Sequence, residues 1–86
     1  MNSYKGLIIV LSLLIAPLAV AVPVNVNTAS ADEIAKALYG VGPNKAQAIV
    51  DYRELHGLFK SVQAVKKVRG IGQGIIDGNY GDIRIE

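Results

Sequence analysis

The chain has no cysteine and no tryptophan, and only one methionine, one phenylalanine and one histidine. Without cysteine there is no disulfide to staple a small fold, and no thiolate to bind a metal or attack a substrate. His56 therefore has no partner for a zinc site and is expected at a helix end. The carboxylates Asp32/Glu33, Asp51/Glu54 and Asp77/Asp82 read as helix caps and solubilising charge. No acid–base or metal constellation converges, which argues against a nuclease, a glycosylase or any other enzyme. No metal and no cofactor is expected. Size points the same way, since 86 residues allow one domain at most and little interior for a shielded cleft.

Long apolar runs are confined to the front of the chain. Residues 1–21, MNSYKGLIIVLSLLIAPLAVA, have the three parts of an export signal: Lys5, the apolar stretch Leu7–Ala16, and Ala19-Val20-Ala21 as a small-x-small cleavage site. Cleavage after Ala21 is the expectation. The alternative is a retained N-terminal membrane anchor, because the apolar run from Leu7 to Val24 approaches the ~17–25 residues of a span. Pro17 and Pro23 interrupt that run. Residues 22–86 then carry eight basic side chains against seven acids, too balanced for charge alone to name a partner. Distribution says more, because Lys60–Gly74 holds Lys60, Lys66, Lys67 and Arg69 with no acid.

A shift of thirty residues lays one part of this chain over another. Gly40-Val41-Gly42 falls on Gly70-Ile71-Gly72, and Ile34, Ala35 and Leu38 fall on Ala64, Val65 and Val68. Two copies are too few for a solenoid, so a closed pair sharing one core is expected. In the first unit, about residues 30–55, Ser30 and Glu33 form a capping box. Ala31, Ile34, Ala35 and Leu38 share one helical face, Gly40 ends the helix, and Pro43 starts the next. Ala46, Ile49 and Val50 give that second helix its buried stripe until LHGLF at 55–59 stops it. The second unit, about 61–80, starts a third helix at Ser61 and, after GIGQG, a short or frayed fourth at Ile75-Ile76. Val24 and Val26 at the front and Ile83 and Ile85 at the end are expected to run extended onto the core.

Neither glycine turn is a nucleotide loop. A dinucleotide fingerprint needs a strand before its glycines and a third glycine where the first turn has Lys45, and a P-loop needs a Gly-Lys-Ser/Thr ending. What remains is a helix, a Gly-apolar-Gly turn and a helix, doubled. The segments VNVNTASADEI, GVGPNKAQAIVDYR, GLFKSV and VRGIG resemble the tandem helix-hairpin-helix domain, most closely the ComEA-type competence proteins of Gram-negative bacteria. The resemblance covers nearly all of residues 22–86. It implies an all-α, compact tandem domain of four short helices in two pseudo-twofold-related hairpins. It also implies a periplasmic protein that binds double-stranded DNA without sequence preference and holds it for uptake in natural transformation. Components of a DNA-uptake pilus, an outer-membrane secretin or an inner-membrane channel are the further partners it allows.

Carried over by position, the DNA-facing residues are Gly40, Val41, Gly42, Asn44 and Lys45, then Gly70, Ile71, Gly72 and Gly74. Lys66, Lys67 and Arg69 add attraction beside the second turn. The chain departs from the family at Gly74, where lysine is common, and at Ile75, where a small polar residue is usual. The second hairpin is thus expected to act more through backbone than side chain. Val41 and Ile71 can also pack inward, Lys66 and Lys67 are also ordinary solvated residues, and Arg53 can pair with an acid of its own helix or support the hairpin. Tyr39, Tyr52 and Tyr80 are expected as core or rim packing, because a duplex hides its bases. The competing reading for the whole chain is an exported scaffold that binds a protein partner.

Overall fold

A computed structural model describes residues 22–86; the expected export signal at 1–21 lies outside the described residues. The chain runs β1 (Val24–Asn25), α1 (Ala31–Ala37), α2 (Pro43–His56), a 3₁₀ helix (Gln63–Lys67), α3 (Gln73–Gly78) and β2 (Ile83–Arg84). Among the described residues three α-helices are thus present where four were expected, with a 3₁₀ helix in third place and a short strand pair added.

Local chemistry accounts for each element. The capping box at the start of α1 is formed: Ser30 Oγ accepts from the Glu33 N–H at 3.2 Å, and Glu33 Oε1 accepts from the Ser30 N–H at 3.1 Å. The Ser30 backbone bond, then its hydroxyl, holds the Glu33 carboxyl below its ordinary pKa. Pro43 occupies the first position of α2, where a missing N–H breaks no bond. Gly57, at φ 92°, ends α2 directly after His56, the helix-end position expected for that histidine. Gly40 is left-handed at φ 78°, but it sits in the turn, past the extended C-cap Leu38, rather than closing α1 itself.

The 3₁₀ helix follows from spacing. Val62, Val65 and Val68 recur every three residues, which is the period at which 3₁₀ side chains line up. Ala64, Val65 and Val68 donate three residues back, to the carbonyls of Ser61, Val62 and Val65, at 3.2, 3.1 and 3.1 Å. Ser61 Oγ also accepts from the Ala64 N–H at 3.1 Å, which fixes the tight first turn. The three-residue spacing puts Val65 and Val68 on one side, and both are buried.

The two units share one core. Ile34 and Ile49 from the first and Val65 and Ile76 from the second are fully buried around Val26. Each such side chain contributes about 1.5–3 kcal/mol when removed from water. The chain ends close this core as a parallel strand pair, with Val24 opposite Ile83 and Asn25 opposite Arg84. Asn27 locks the closure: its Nδ2 donates to the carbonyls of Phe59 and Ile85, both at 2.9 Å, and its Oδ1 accepts from the Phe59 N–H at 2.7 Å. Among the described residues Arg53 meets backbone carbonyls. Its guanidinium donates to the carbonyls of Val26 and Ala29 at 2.8 and 2.6 Å, tying α2 to the turn after β1.

Replacing Arg53 by methionine keeps the apolar stem and strands both carbonyls. Urea unfolding of Arg53→Met is expected to show a loss of about 2–3 kcal/mol.

Candidate functional site

The two Gly-apolar-Gly segments fold alike, thirty residues apart. In the first, the Val41 N–H closes on the Leu38 carbonyl at 3.3 Å, and α2 begins with Ala46 N–H to Gly42 O at 2.9 Å. In the second, Ile71 closes on Val68 at 3.0 Å, and α3 begins with Ile76 N–H to Gly72 O at 3.3 Å. Gly40 and Gly70 hold φ of 78° and 94°, a region costly for any residue with a Cβ. Gly42 and Gly72 are the extended N-caps of α2 and α3.

This geometry sorts the expected residues. The Val41 and Ile71 side chains are buried and their N–H groups are spent within the turns, so both anchor the hairpins from inside. The donors left at the first turn are the Gly42, Asn44 and Lys45 amides, which precede the first intrahelical bond. At the second turn they are Gly72, Gln73, Gly74 and Ile75, one more because Gln73 stands where the first unit has Pro43. A Cβ built on Gly42, Gly72 or Gly74 meets nothing within 4 Å, so these glycines face open space.

Two reciprocal contacts hold the turns side by side. The Lys45 stem lies over the second turn, its Cγ 3.5 Å and Cε 3.6 Å from where a Gly70 Cβ would stand. Ile75, the thirty-residue counterpart of Lys45, places its Cγ1 3.9 Å from the equivalent point at Gly40. Lys45 thus spans from the start of α2 to the opposite hairpin. Lys66 joins the second turn, its Nζ donating to Gln73 Oε1 at 2.8 Å, and Arg69 is exposed one residue before Gly70. Lys67 is elsewhere. It lines a cleft of about 230 Å³ with Tyr52, His56, Leu58, Phe59 and Lys60, at the C-terminal end of α2. Among the described residues no group of histidines or acids is placed to hold a metal ion.

The tyrosines divide. Tyr52 is half-buried, stacked on Phe59 at 5.4 Å and tilted against His56 at 4.4 Å, but Tyr39 and Tyr80 are 85% and 83% exposed. The expectation of packing fails for these two because each lies in a turn beyond the end of a helix. Asn79 was also missed. It is the one buried polar side chain described, and it occupies the position that repeats the core residue Ile49. A polar residue at an apolar repeat position was the available signal.

Comparison with known proteins agrees with this geometry. The family model described as helix-hairpin-helix motif matches residues 20–84. An uncharacterized protein of Haemophilus influenzae is 46% identical over 65 residues, covering 76% of this chain and 58% of that protein. ComE operon protein 1 of Bacillus subtilis is 48% identical over 50 residues, covering 58% of this chain and 24% of that protein. Kinesin-like protein KIF22 of Mus musculus is 47% identical over 45 residues, 52% of this chain and 7% of that protein. The chain thus spans between less than a tenth and somewhat over half of the curated relatives it matches. No solved structure matches it. Doubled glycine turns, the amides they free and the match from residue 20 to 84 together place this chain in the helix-hairpin-helix family, in its ComEA-like form.

Proposed function

We propose that the chain is a periplasmic protein that binds double-stranded DNA without sequence preference and holds it for uptake in natural transformation. The observation that carries this reading is the pair of matched turns, each presenting unpaired backbone amides beside glycines that leave open space. Such amides suit phosphate oxygens, and the start of the 14-residue α2 adds partial positive charge. Contacts of this type position a protein on the duplex and read no base identity. In this reading the two hairpins work as a tandem clasp, one on each strand across the minor groove, with Lys45 between them. Residues 1–21 serve as a cleaved export signal, and the role is binding rather than catalysis. Pilus, secretin or inner-membrane channel components are the proposed further partners.

A protein-binding scaffold is the second reading, supported by Leu58, 65% exposed at the cleft beyond α2, and by Leu55, 78% exposed in the last turn of that helix. Stable capture of a purified envelope protein with no DNA shift would favour it.

Gel-shift titrations of purified protein on a duplex at several salt concentrations test the main reading. About four to six neutralised phosphates give a log–log slope of roughly −4 to −5, and absent or salt-indifferent binding would overturn it. Lys45→Glu is expected to weaken binding by more than about tenfold while the far-UV circular dichroism stays unchanged, since the residue ends on the surface between the turns. Gly74→Lys is expected to act in the opposite direction. The position is open and helical, so the substitution restores a cation beside the second turn and steepens the slope by up to about 0.9.

A further inference from the structure

Tyr39 combines two properties that rarely meet: its side chain is 85% exposed, while its main chain is held by a buried side chain. The Tyr39 N–H donates to Asn79 Oδ1 at 2.7 Å, and the Tyr39 carbonyl accepts from Asn79 Nδ2 at 2.8 Å. The same Nδ2 donates to the Ile75 carbonyl at 2.9 Å, so the amide is fixed from a third side. In the first unit the equivalent position is Ile49, an ordinary core residue. The second unit therefore gives up an apolar core position to fix the backbone beneath a ring that faces water. Fixing a contact residue before it meets its partner lowers the ordering cost of binding.

The repeat indicates what that ring meets. Tyr39 superposes on Arg69 after the thirty-residue shift, each exposed and each directly preceding the left-handed glycine of its hairpin. One hairpin thus carries a guanidinium at this place and the other a neutral aromatic ring.

We propose that Tyr39 is a DNA contact, its ring packing against the deoxyribose carbons of the strand held by the first hairpin. Arg69 meets a phosphate at the corresponding place on the other strand. The proposal rests on the duplex-clasp reading above and adds to it an uncharged half. Deoxyribose offers apolar carbon beside each phosphate, and it is reachable in a duplex whose bases are stacked away. A sugar contact releases no counterion, so its contribution persists as salt rises, whereas that of Arg69 fades. Tyr80, 83% exposed, also precedes a left-handed glycine, Gly81 at φ 90°, but it lies past the end of α3, outside both Gly-apolar-Gly turns, and its thirty-residue counterpart is Val50.

The test is binding of the purified protein to a blunt duplex by fluorescence anisotropy across a salt series. Tyr39→Ala is expected to weaken binding about five- to tenfold at every salt concentration with an unchanged slope. Tyr39→Phe, which keeps the ring, should bind as the wild type does. Arg69→Ala should instead flatten the slope by about 0.9. Wild-type affinity in Tyr39→Ala overturns the proposal, and so does a loss accompanied by a flattened slope, which would mark an electrostatic effect. The exposed side chain is no part of the core, and unchanged melting of each variant separates a lost contact from a lost fold. If the wild type binds no duplex at all, the clasp reading fails and the tyrosine contact falls with it. Binding by the wild type with indifference to Tyr39 defeats only the latter.

Discussion

Neither thirty-residue unit can close a core alone, and that constraint shapes everything else. Ile34 and Ile49 are buried in one cluster with Val65 and Ile76, and Val26, from the turn after β1, is buried with them. With no cysteine to cross-link the halves, apolar burial and a few buried amides must do the joining. The dependence fixes the glycine turns relative to one another. Two loops on separate domains would have to find their spacing each time they met a ligand. Here the spacing is set when the core forms.

The joining is symmetric in outline and asymmetric in chemistry. Lys45 over Gly70 and Ile75 over Gly40 are the same contact made twice, once with a cation and once with a hydrocarbon. Pro43 and Gln73 likewise occupy the same place, one lacking an amide that the other supplies. Tyr39 and Arg69 repeat the theme. The first hairpin has a cation, Lys45, at its helix start and three free amides. The second has four free amides and no cation at its helix start, its nearest cations lying ahead of the turn.

Much of this was legible before any coordinates. The capping box, Pro43 at the start of a helix, the stop at Gly57 and the extended ends all follow from local rules that tertiary packing did not override. The doubled turn was visible as a repeat, and so were the residues that surround it. An α-helical period over Ala64, Val65 and Val68 misplaces the third helix, because the valines at 62, 65 and 68 and the Ser61 hydroxyl suit a period of three. The inward aim of Val41 and Ile71 followed from sequence only as one of two options, and hydrogen-bond geometry removed the other. Lys66 bonds to the second turn while Lys67 lines the cleft beyond α2, because a tight helix turns consecutive lysines to different sides. Asn27, Arg53 and Asn79 act across separations of more than twenty residues, beyond any local rule.

The parallel pairing of the two end strands has a mechanical side. Val24 and Val26 donate to the carbonyls of Asp82 and Arg84, and Asn27 adds its own grip on Ile85 just beyond. Tension applied along β1 from the direction of Val22 slides one strand past the other, so these bonds share the load and break together rather than opening in succession. A domain hauled from its front end while gripping a long polymer would resist in its stiffest geometry.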